Sequence, residues 1–468
     1  MDKKSIKERK VLKKKLKKAV TKEELSEFDK DVLIDRIIAL DTENTHLKNI
    51  ITKRTENKVN LLQPVIRKEF DFSKCHFRKI LLRVSYLGWD YKGFVIQDDT
   101  TDTIEHHLFH ALVKSRLIES REKAEYNRCG RTDKGVSSYG QVISIKVRSR
   151  HPPSEQNLSS SIAIELPYCR MLNRLLPREI RAVTWLPLPE DKIDMSARFD
   201  CKRRQYKYYF PRSSLNLQAM GEACTHLVGT HDFRNFCKMD VGNGVTVHIR
   251  QIFSAYIAPV SEKDIDELTS MFVCIIEGNA FLWHQIRCIM GVILLVGQGL
   301  ESPDIMKYLL DVEENPRKPQ YNLALDLPLN LNKCVYDIDD LWIYDPMELK
   351  NIISTMQKLW TEHSVKTTLI KDFLQNLEAL YSTFIGETCG DSVIGKSDQT
   401  IAVHTDVLLQ GPKPKIYKPL KKRQQCSAWW NKLQNLPLTK EEEALAQQHI
   451  VPHIHRLLLL KKITTLKS

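Results

Sequence analysis

The chain turns sharply at RCGRTDKGVSS (Arg128–Ser138), a glycine-bracketed loop that leads into the alternating strand VISIKV (Val142–Val147). Gly130 and Gly135 give the backbone the freedom for a tight turn that presents Asp133 at the loop apex. A carboxylate presented in this way can serve as a nucleophile, a general base or a metal ligand. From the loop alone, the stronger interpretation is an Asx-turn that only stabilises the turn.

Strands and helices alternate on both sides of this loop. A β-rich strand is predicted over Ile80–Tyr86, and a helix over Thr103–Leu112, with Thr103 as its expected N-cap. After the Val142–Val147 strand, a helix is expected over Leu166–Leu176 and extended backbone over Val183–Leu188. This order of elements is typical of an α+β unit.

A second block repeats the pattern. It comprises a strand at Arg204–Phe210, a helix at about Leu217–Val228, the loop GTHDFRNFCKMD, strands at Ile252–Ile257 and Met271–Glu277, and a long apolar helix at Gln285–Val296 closed by Gly297 and Gly299. Two successive halves of similar order predict an α+β fold with an internally duplicated sheet, in contrast to a doubly wound parallel one.

Composition restricts the class of protein. The 468 residues are 42% hydrophobic and 28% charged, which is typical of a globular chain of two or three domains. No apolar stretch approaches the roughly 18 residues of a membrane span, and the lysine-rich N-terminus lacks the apolar region of a signal peptide. We therefore expect neither membrane insertion nor secretion.

Charge and cysteine usage add two expectations. The formal net charge of +13 favours a polyanionic partner, most commonly a nucleic acid. The eleven cysteines occur singly, without a C-x-x-C pair, so reduced thiols in an intracellular protein are expected and a zinc ribbon is not.

Lysine dominates the first 18 residues, MDKKSIKERKVLKKKLKK, which predicts a solvated tail, a nuclear-import signal or an RNA-binding arm. Apolar residues then recur at spacings of three and four, with one asparagine among them: Leu33, Ile37, Leu40, Asn44, Leu47 and Ile51. This seam favours either a short coiled coil that dimerises or one amphipathic helix packed on its own body. The seam is shorter than three heptads, so both interpretations stay open.

Changes in pattern along the chain predict five segments. They are a basic, heptad-containing helical leader (1–56), a linker (57–74), a first half with the Asp loop (75–200), a second half (201–343) and a helical C-terminal extension (344–468).

Several common chemistries find no support in the sequence. The chain contains neither a G-x-x-x-x-G-K-[ST] phosphate loop nor a G-x-G-x-x-G after a strand. His106, His107 and His110 lie close together on one predicted helix, but no carboxylate follows at metalloprotease spacing. A solvated helix face is the preferred interpretation of these histidines.

The loop GRTDKGV (Gly130–Val136) resembles the catalytic motif of the TruA family of tRNA pseudouridine synthases. Three further stretches occur in the order of that family: RRQYKYYF (Arg203–Phe210), GTHDFRNFCK (Gly229–Lys238) and FLWHQIRCIMG (Phe281–Gly291). The resemblance extends from about Phe72 to Asp337.

The stretch CKMDVGNGV, with the lysine and serines after the Asp, is most similar to the eukaryotic subgroup that modifies tRNA positions 38 and 39. Bacterial members carry His-Ala where this chain has Ser137 and Ser138. The leader and the segment YKPLKKR also resemble the ends of the eukaryotic subgroup.

The resemblance implies a pseudouridine synthase fold, in which two RNA-binding-like α+β halves form one mainly antiparallel sheet with flanking helices, preceded by an N-terminal helix. It implies that Asp133 is the nucleophile that attacks the uridine, that Arg287 pairs with Asp133, and that Tyr206 stacks on the target base. Arg131 would help to hold the flipped nucleotide. Neither a metal nor a redox cofactor is implied.

Other interpretations of these residues remain open. Without the resemblance, Arg287 is read as an ordinary charge on a helix surface, and Tyr206 as a core aromatic on a sheet face. Lys134 and Lys238 are candidates for phosphate contacts. The His231–Phe233 stretch is interpreted as a loop that caps a helix and supports the fold.

The leading hypothesis is therefore a homodimeric RNA-modifying enzyme of the nucleus and cytoplasm. It is expected to isomerise uridine to pseudouridine in the anticodon arm of tRNA, at positions 38 and 39. A nonenzymatic basic RNA-binding protein and a coiled-coil scaffold are the alternatives. The intact set of Asp133, Tyr206 and Arg287 favours the enzyme, because RNA binding alone has no need of a lone carboxylate facing a phosphate backbone.

Overall fold

Alternating apolar residues place strand β1 (His76–Tyr86) at the centre of the first half of the protein. It pairs antiparallel with β3 (Ser137–Ser149) on one side and with β4 (Ile180–Pro187) on the other. The short β2 (Asn127–Arg128) pairs with β3 just before the Asp loop begins. The strands predicted around this loop are confirmed, and each extends a few residues beyond its apolar centre.

The helices of the first half are α1 (Ile104–Lys114), α2 (Ser159–Ala163) and α3 (Tyr168–Asn173). The predicted cap of α1 is confirmed, since the Thr103 hydroxyl accepts a hydrogen bond from the His106 backbone at 3.3 Å. Helix α3 is shorter than the predicted Leu166–Leu176. Pro167 stands at its N-cap, and a proline that follows it closely, Pro177, disfavours further helix.

The second half contributes β5 (Arg203–Pro211), β6 (Gly229–Asp232), β7 (Ile249–Pro259), β8 (Met271–Gly278) and β9 (Leu329–Val335). The strand order across the sheet is β4-β1-β3-β9-β5-β8-β7-β6. Neighbouring strands are antiparallel apart from β3 and β9, which pair parallel and join the two halves. The predicted α+β fold with one mainly antiparallel sheet is confirmed.

The stretch GTHDFRNFCKMD differs from its prediction as a loop. Its first four residues form β6, an edge strand paired with β7. The Asp232 carboxylate then accepts a hydrogen bond at 3.0 Å from the backbone of Arg234, the first residue of a short 3-10 helix. Phe233 is fully buried. The supporting role predicted for this stretch agrees with these contacts.

Helices α4 (Leu217–Thr225), α5 (Gln285–Gly297) and α6 (Ile305–Leu310) cover the second half. All thirteen residues of α5 are buried. The apolar side chains predicted to pack this helix lie in the core cluster of the second half: Ile286, Ile289, Met290, Ile293 and Leu294. Because α5 is buried on every side, any polar group on it must find a partner inside the protein.

The computed structural model describes residues 70–238, 247–338, 342–388, 404–412 and 416–426. The predicted leader with its heptad seam and most of the linker lie outside these residues, as do residues 389–403 and 427–468 of the predicted C-terminal extension. None of the described helices is long and apolar enough to span a membrane.

The C-terminal region contains a 43-residue helix, α7 (Pro346–Thr388). Beyond it the chain packs on the second half again. Leu408 and Leu420 belong to the core cluster of that half, and Leu409 pairs with Ala324 in an isolated β-bridge. Part of the segment predicted as a C-terminal extension therefore contributes to the core.

Candidate active site

The loop between β2 and β3 is fixed from behind by its neighbours. The hydroxyls of Tyr86 and Thr132 are 2.7 Å apart and share a hydrogen bond. The Phe94 backbone N–H donates to the Thr132 carbonyl at 3.1 Å. The side-chain amide of Gln141 bonds both to the N–H and to the carbonyl of Gly130. These contacts hold the residues on either side of Arg131 in place.

Two glycines permit this arrangement. Gly88 packs so closely that a Cβ there would lie 2.0 Å from the Val136 carbonyl oxygen. Gly135 has a φ of 78°, in the left-handed region that favours glycine. A Cβ on Gly135 would also come within 3.0 Å of the Asp326 carboxylate. A larger residue at either position would displace the loop.

The serines that replace the bacterial His-Ala pair also hold the loop. The Ser137 hydroxyl accepts a hydrogen bond from the Gly88 backbone at 3.0 Å. The Ser138 hydroxyl donates to the Leu331 carbonyl at 2.8 Å, across the junction between β3 and β9. The departure from the bacterial pattern is therefore accommodated by structural contacts behind the reactive side of the loop.

Asp133 meets the start of α5. One carboxylate oxygen accepts a hydrogen bond from the Trp283 indole N–H at 3.1 Å, and the other lies 3.3 Å from Nε2 of His284. The Asp133 side chain is 27% exposed, so it remains reachable from solvent. The described contacts of the Asp133 side chain come from the start of α5. Within its own loop it is the Asp133 backbone carbonyl that accepts, from the Val136 N–H at 3.2 Å. An Asx-turn requires the side chain to make such a bond, so that interpretation does not hold.

His284 is neutral in this setting. Burial, followed by the nearby positive charges of Arg287 and Lys238, lowers the pKa of His284 to about 4. Its contact with Asp133 is therefore a neutral imidazole N–H facing a carboxylate. His284 also has a φ of 60°, an uncommon conformation for a residue with a side chain. The backbone accepts this strain at the point where the ring reaches Asp133.

Arg287 does not pair directly with Asp133, which corrects the prediction. Its Nε donates to the Ala324 carbonyl at 2.9 Å, and its Nη2 lies 3.6 Å from an Asp326 carboxylate oxygen. The physical reason is that the fold places the Ala324 carbonyl and the Asp326 carboxylate against the guanidinium, which takes these groups as its partners. The alternative of a helix-surface charge is also wrong, because Arg287 is only 4% exposed.

Opposing influences set the acidity of Asp133. Burial raises the pKa of the Asp133 carboxyl above its ordinary value, and the negative charge of Asp326 adds to this rise. The Arg287 guanidinium and the Trp283 hydrogen bond act in the opposite direction. Arg287 therefore favours the ionised carboxylate through its charge, without a direct ion pair.

Tyr206 lies on β5, half-buried, with its ring edge-to-face against Phe281 at 5.1 Å between centroids. Tyr208 and Phe210, on the same face of the strand, are fully buried. Tyr206 therefore differs from Tyr208 and Phe210 in having a partly exposed side chain.

The predicted RNA-contacting cations lie on the exposed side of this region. Arg131 and Lys134 are exposed on the loop beside Asp133. The Lys238 ammonium lies 4.3 Å from the centre of the Trp283 ring, an arrangement that favours a cation–π interaction. The surface around Asp133 is therefore positively charged.

Sequence reasoning missed three residues of this site. Trp283 and His284 belong to the quoted stretch FLWHQIRCIMG but were given no role, and Asp326 lies in a stretch that carried no motif. Trp283 and His284 could have been identified from their position, because they directly precede the helix that carries the candidate Arg287. No local pattern distinguishes Asp326, because it reaches the site only through the fold.

A different set of residues has the chemistry of a metal site. Cys129, Cys201 and Cys334 are all buried, and their sulfur atoms lie within 4.8 Å of one another. Among the described residues they form the one such group of potential ligands, and the histidines of α1 do not join a comparable group. The fold therefore brings together three cysteines that occur singly along the sequence.

Comparisons with known proteins agree with this architecture. Residues 223–337 match a family described as tRNA pseudouridine synthase. The chain is 40% identical over 417 residues to the tRNA pseudouridine(38/39) synthase of Mus musculus, covering 84% of this chain and 85% of that protein. The Homo sapiens protein of the same name is 39% identical over 421 residues, 86% of each chain. That of Saccharomyces cerevisiae is 40% identical over 323 residues, 66% of this chain and 71% of the yeast protein.

The chain is thus an RNA-modifying enzyme with tRNA as its substrate class. It belongs to the tRNA pseudouridine synthase family, as the four motifs predicted.

The Trp283 hydrogen bond should be visible in the pH dependence of the reaction. A nucleophilic Asp133 must be ionised, so the rate should fall as the pH drops through its raised pKa. Trp283→Phe keeps an aromatic ring under Lys238 but removes the N–H that lowers the pKa. We expect the acid limb of the pH–rate profile, where the rate falls with falling pH, to shift to higher pH in this variant. At a given pH on that limb the rate should be several-fold lower than in the unaltered protein. Single-turnover rates measured across the acid range test this expectation.

Trp89→Phe is the matched control, because the Trp89 indole donates to the Leu327 carbonyl at 3.3 Å and not to Asp133. An acid limb unchanged in Trp283→Phe, or shifted equally in both variants, would show that the indole N–H does not tune Asp133.

Proposed function

We propose that this protein converts uridine to pseudouridine at positions 38 and 39 of the tRNA anticodon arm, with Asp133 as the nucleophile. The positions are those named for the mouse, human and yeast relatives. The observation that carries the proposal is a partly exposed carboxylate held by Trp283 and His284 and surrounded by basic side chains.

The reaction requires one bond to be exchanged for another. The N1–C1′ glycosidic bond breaks, a C5–C1′ bond forms, C5 loses its proton and N1 gains one, so no oxidant or reductant is consumed. In the proposed mechanism the Asp133 carboxylate attacks the target nucleotide and retains the ribose while the base detaches, rotates and returns through carbon. Arg287 keeps the carboxylate ionised, and the two donors from the start of α5 fix its orientation.

The target base must leave its stack before this attack. We assign the stacking face to Tyr206, whose half-buried ring is supported by Phe281. Arg131 would hold the flipped nucleotide, and Lys134 and Lys238 would contact phosphates. These cations provide the electrostatic attraction to tRNA that the net charge of +13 predicts.

Chemical mapping of pseudouridine tests the choice of positions. Purified protein is incubated with an unmodified tRNA that carries uridine at both 38 and 39, and with versions in which one or both are replaced by cytidine. Modification should follow each remaining uridine and vanish in the double replacement. Modification elsewhere in the tRNA, with 38 and 39 untouched, would overturn the assignment of positions while leaving the enzyme class intact.

A nonenzymatic RNA-binding protein is the second candidate, supported by the same basic surface. The contacts of Asp133 argue against it, because burying a carboxylate carries a desolvation cost that simple phosphate binding would not require. Tight tRNA binding without any product in the mapping experiment would favour this candidate.

We further propose that the protein acts as a homodimer. Helix α7 carries apolar side chains at alternating spacings of three and four that are 63–68% exposed: Ile370, Phe373, Leu377 and Leu380. An exposed apolar stripe at this spacing supports helix–helix association. The occupant we favour is a second copy of this chain, which would give the homodimer expected from the sequence.

Leu377→Glu combined with Phe373→Glu should convert the dimer to a monomer, because two buried charges would oppose apolar packing. Light scattering after size exclusion measures the mass directly. Ile416→Glu is the control, since Ile416 is 86% exposed and lies away from α7 in sequence. Deletion of residues 1–56 should leave the dimer intact. A monomeric truncation, or a dimeric double variant, would contradict dimerisation through this stripe.

A further inference from the structure

Three cysteines from separate segments meet beside the Asp loop. Cys129 immediately precedes Gly130, Cys201 lies just before β5, and Cys334 is on β9. The sulfurs are buried and lie within 4.8 Å of one another. A set of isolated buried thiols would behave only as small hydrophobic groups, so a further observation is needed to identify a ligand.

Arg204 provides that observation. The side chain is buried, and its guanidinium donates to backbone carbonyls, including that of Arg198 at 2.7 Å and that of Cys129 at 3.4 Å. Within the described part of the chain, no carboxylate lies within ion-pair distance of it. A buried cation without a counter-charge is costly. The three sulfurs beside it are the groups that can supply negative charge.

The charges of three thiolates and Arg204 balance with a divalent cation. Three thiolates and one divalent cation carry a net charge of −1, which the +1 of Arg204 neutralises. A monovalent cation would leave the cluster at −1 even with Arg204 included. Thiolates prefer soft or borderline cations, and Zn²⁺ is the divalent ion that proteins most often hold in this way.

We propose that Cys129, Cys201 and Cys334 form a zinc site that ties the Asp loop to both halves of the sheet. Zinc–sulfur bonds of about 2.3 Å place the sulfurs of a tetrahedral site about 3.8 Å apart, so the cluster needs only a small contraction. The nearby Tyr336 hydroxyl donates to the Ala197 carbonyl at 2.6 Å, so a water molecule would take the fourth position, as in other zinc sites with three protein ligands. The site is separate from the isomerisation chemistry and stands whether or not the proposed positions in tRNA are correct.

The zinc content of the purified, full-length protein tests the proposal. After gel filtration under reducing conditions with a weak chelator, elemental analysis should give about one zinc per chain. Cys334→Ser should lose this zinc. Cys274→Ser is the matched control, because Cys274 is equally buried in the same sheet but lies beside Cys224 and outside the cluster. It should retain the metal.

A measurement on the unaltered protein covers the case in which Cys334→Ser does not fold. Co²⁺ alone, added to metal-free protein, should produce the sulfur-to-metal charge-transfer absorption of a thiolate site, and one equivalent of Zn²⁺ should abolish it. Wild-type protein without stoichiometric zinc and without this absorption would overturn the proposal. A disulfide within the cluster, detected as two thiols missing after denaturation, would overturn it as well, and so would zinc retained by Cys334→Ser.

Discussion

Asp133→Asn is expected to abolish pseudouridine formation while leaving the fold and tRNA affinity nearly unchanged. The amide keeps the size of the side chain and can still meet Trp283 or His284, but it lacks the charge and the nucleophilic oxygen. We expect a rate loss of roughly three orders of magnitude or more, equivalent to about 4 kcal/mol in the transition state. Product mapping under single-turnover conditions with saturating tRNA measures this loss.

Asp90→Asn is the control, because this substitution makes the same chemical change at an exposed residue near the Asp loop. It should retain nearly full activity. Tight tRNA binding by Asp133→Asn must accompany the loss of product. Appreciable pseudouridine formation by Asp133→Asn would contradict the covalent role of this carboxylate.

Arg287→Lys is expected to reduce the rate by about 100-fold although the charge is kept. The guanidinium bonds to the Ala324 carbonyl and faces the Asp326 carboxylate at the same time. A single ammonium cannot reproduce this planar geometry, and its charge would move relative to Asp133. The loss should therefore appear in single-turnover rates at saturating tRNA, with tRNA affinity largely preserved.

Two further measurements separate positioning from folding, since Arg287 is buried. Thermal unfolding shows whether Arg287→Lys remains folded. Asp326→Asn keeps Arg287 but weakens the contact that holds it, so it should give a smaller loss of rate. It should also move the acid limb to lower pH, because the Asp326 charge raises the pKa of Asp133. Normal turnover by a folded Arg287→Lys would show that this geometry is not required.

The sheet could be predicted from the sequence because its strands alternate apolar and polar residues. The ends of the strands were predicted less accurately. In β1, the mostly polar stretch HFRK (His76–Lys79) gives little apolar signal, yet it continues the pairing with β3. The edge strand β6 was missed because it is short and has little buried surface. In each case pairing with a neighbour, which local sequence does not record, determines the structure.

The candidate site, like the sheet, could be predicted only where local sequence carries a pattern. Asp133 and Arg287 were identified through motifs, but their relation depends on Trp283, His284 and Asp326, which approach only when α5 and the chain before β9 pack against the loop. The cysteine cluster was missed for a similar reason. Cys129, Cys201 and Cys334 are far apart in sequence, and spacing rules detect metal ligands only when two of them are close along the chain.

Release of tritium from tRNA labelled at C5 of uridine tests the central claim most directly, because joining C5 to the ribose expels the C5 hydrogen. The unaltered protein should release tritium in step with the pseudouridine formed. Asp133→Asn should release no more tritium than a reaction without enzyme. No release by the unaltered protein with a full-length tRNA substrate, or undiminished release by Asp133→Asn, would contradict isomerisation by this carboxylate.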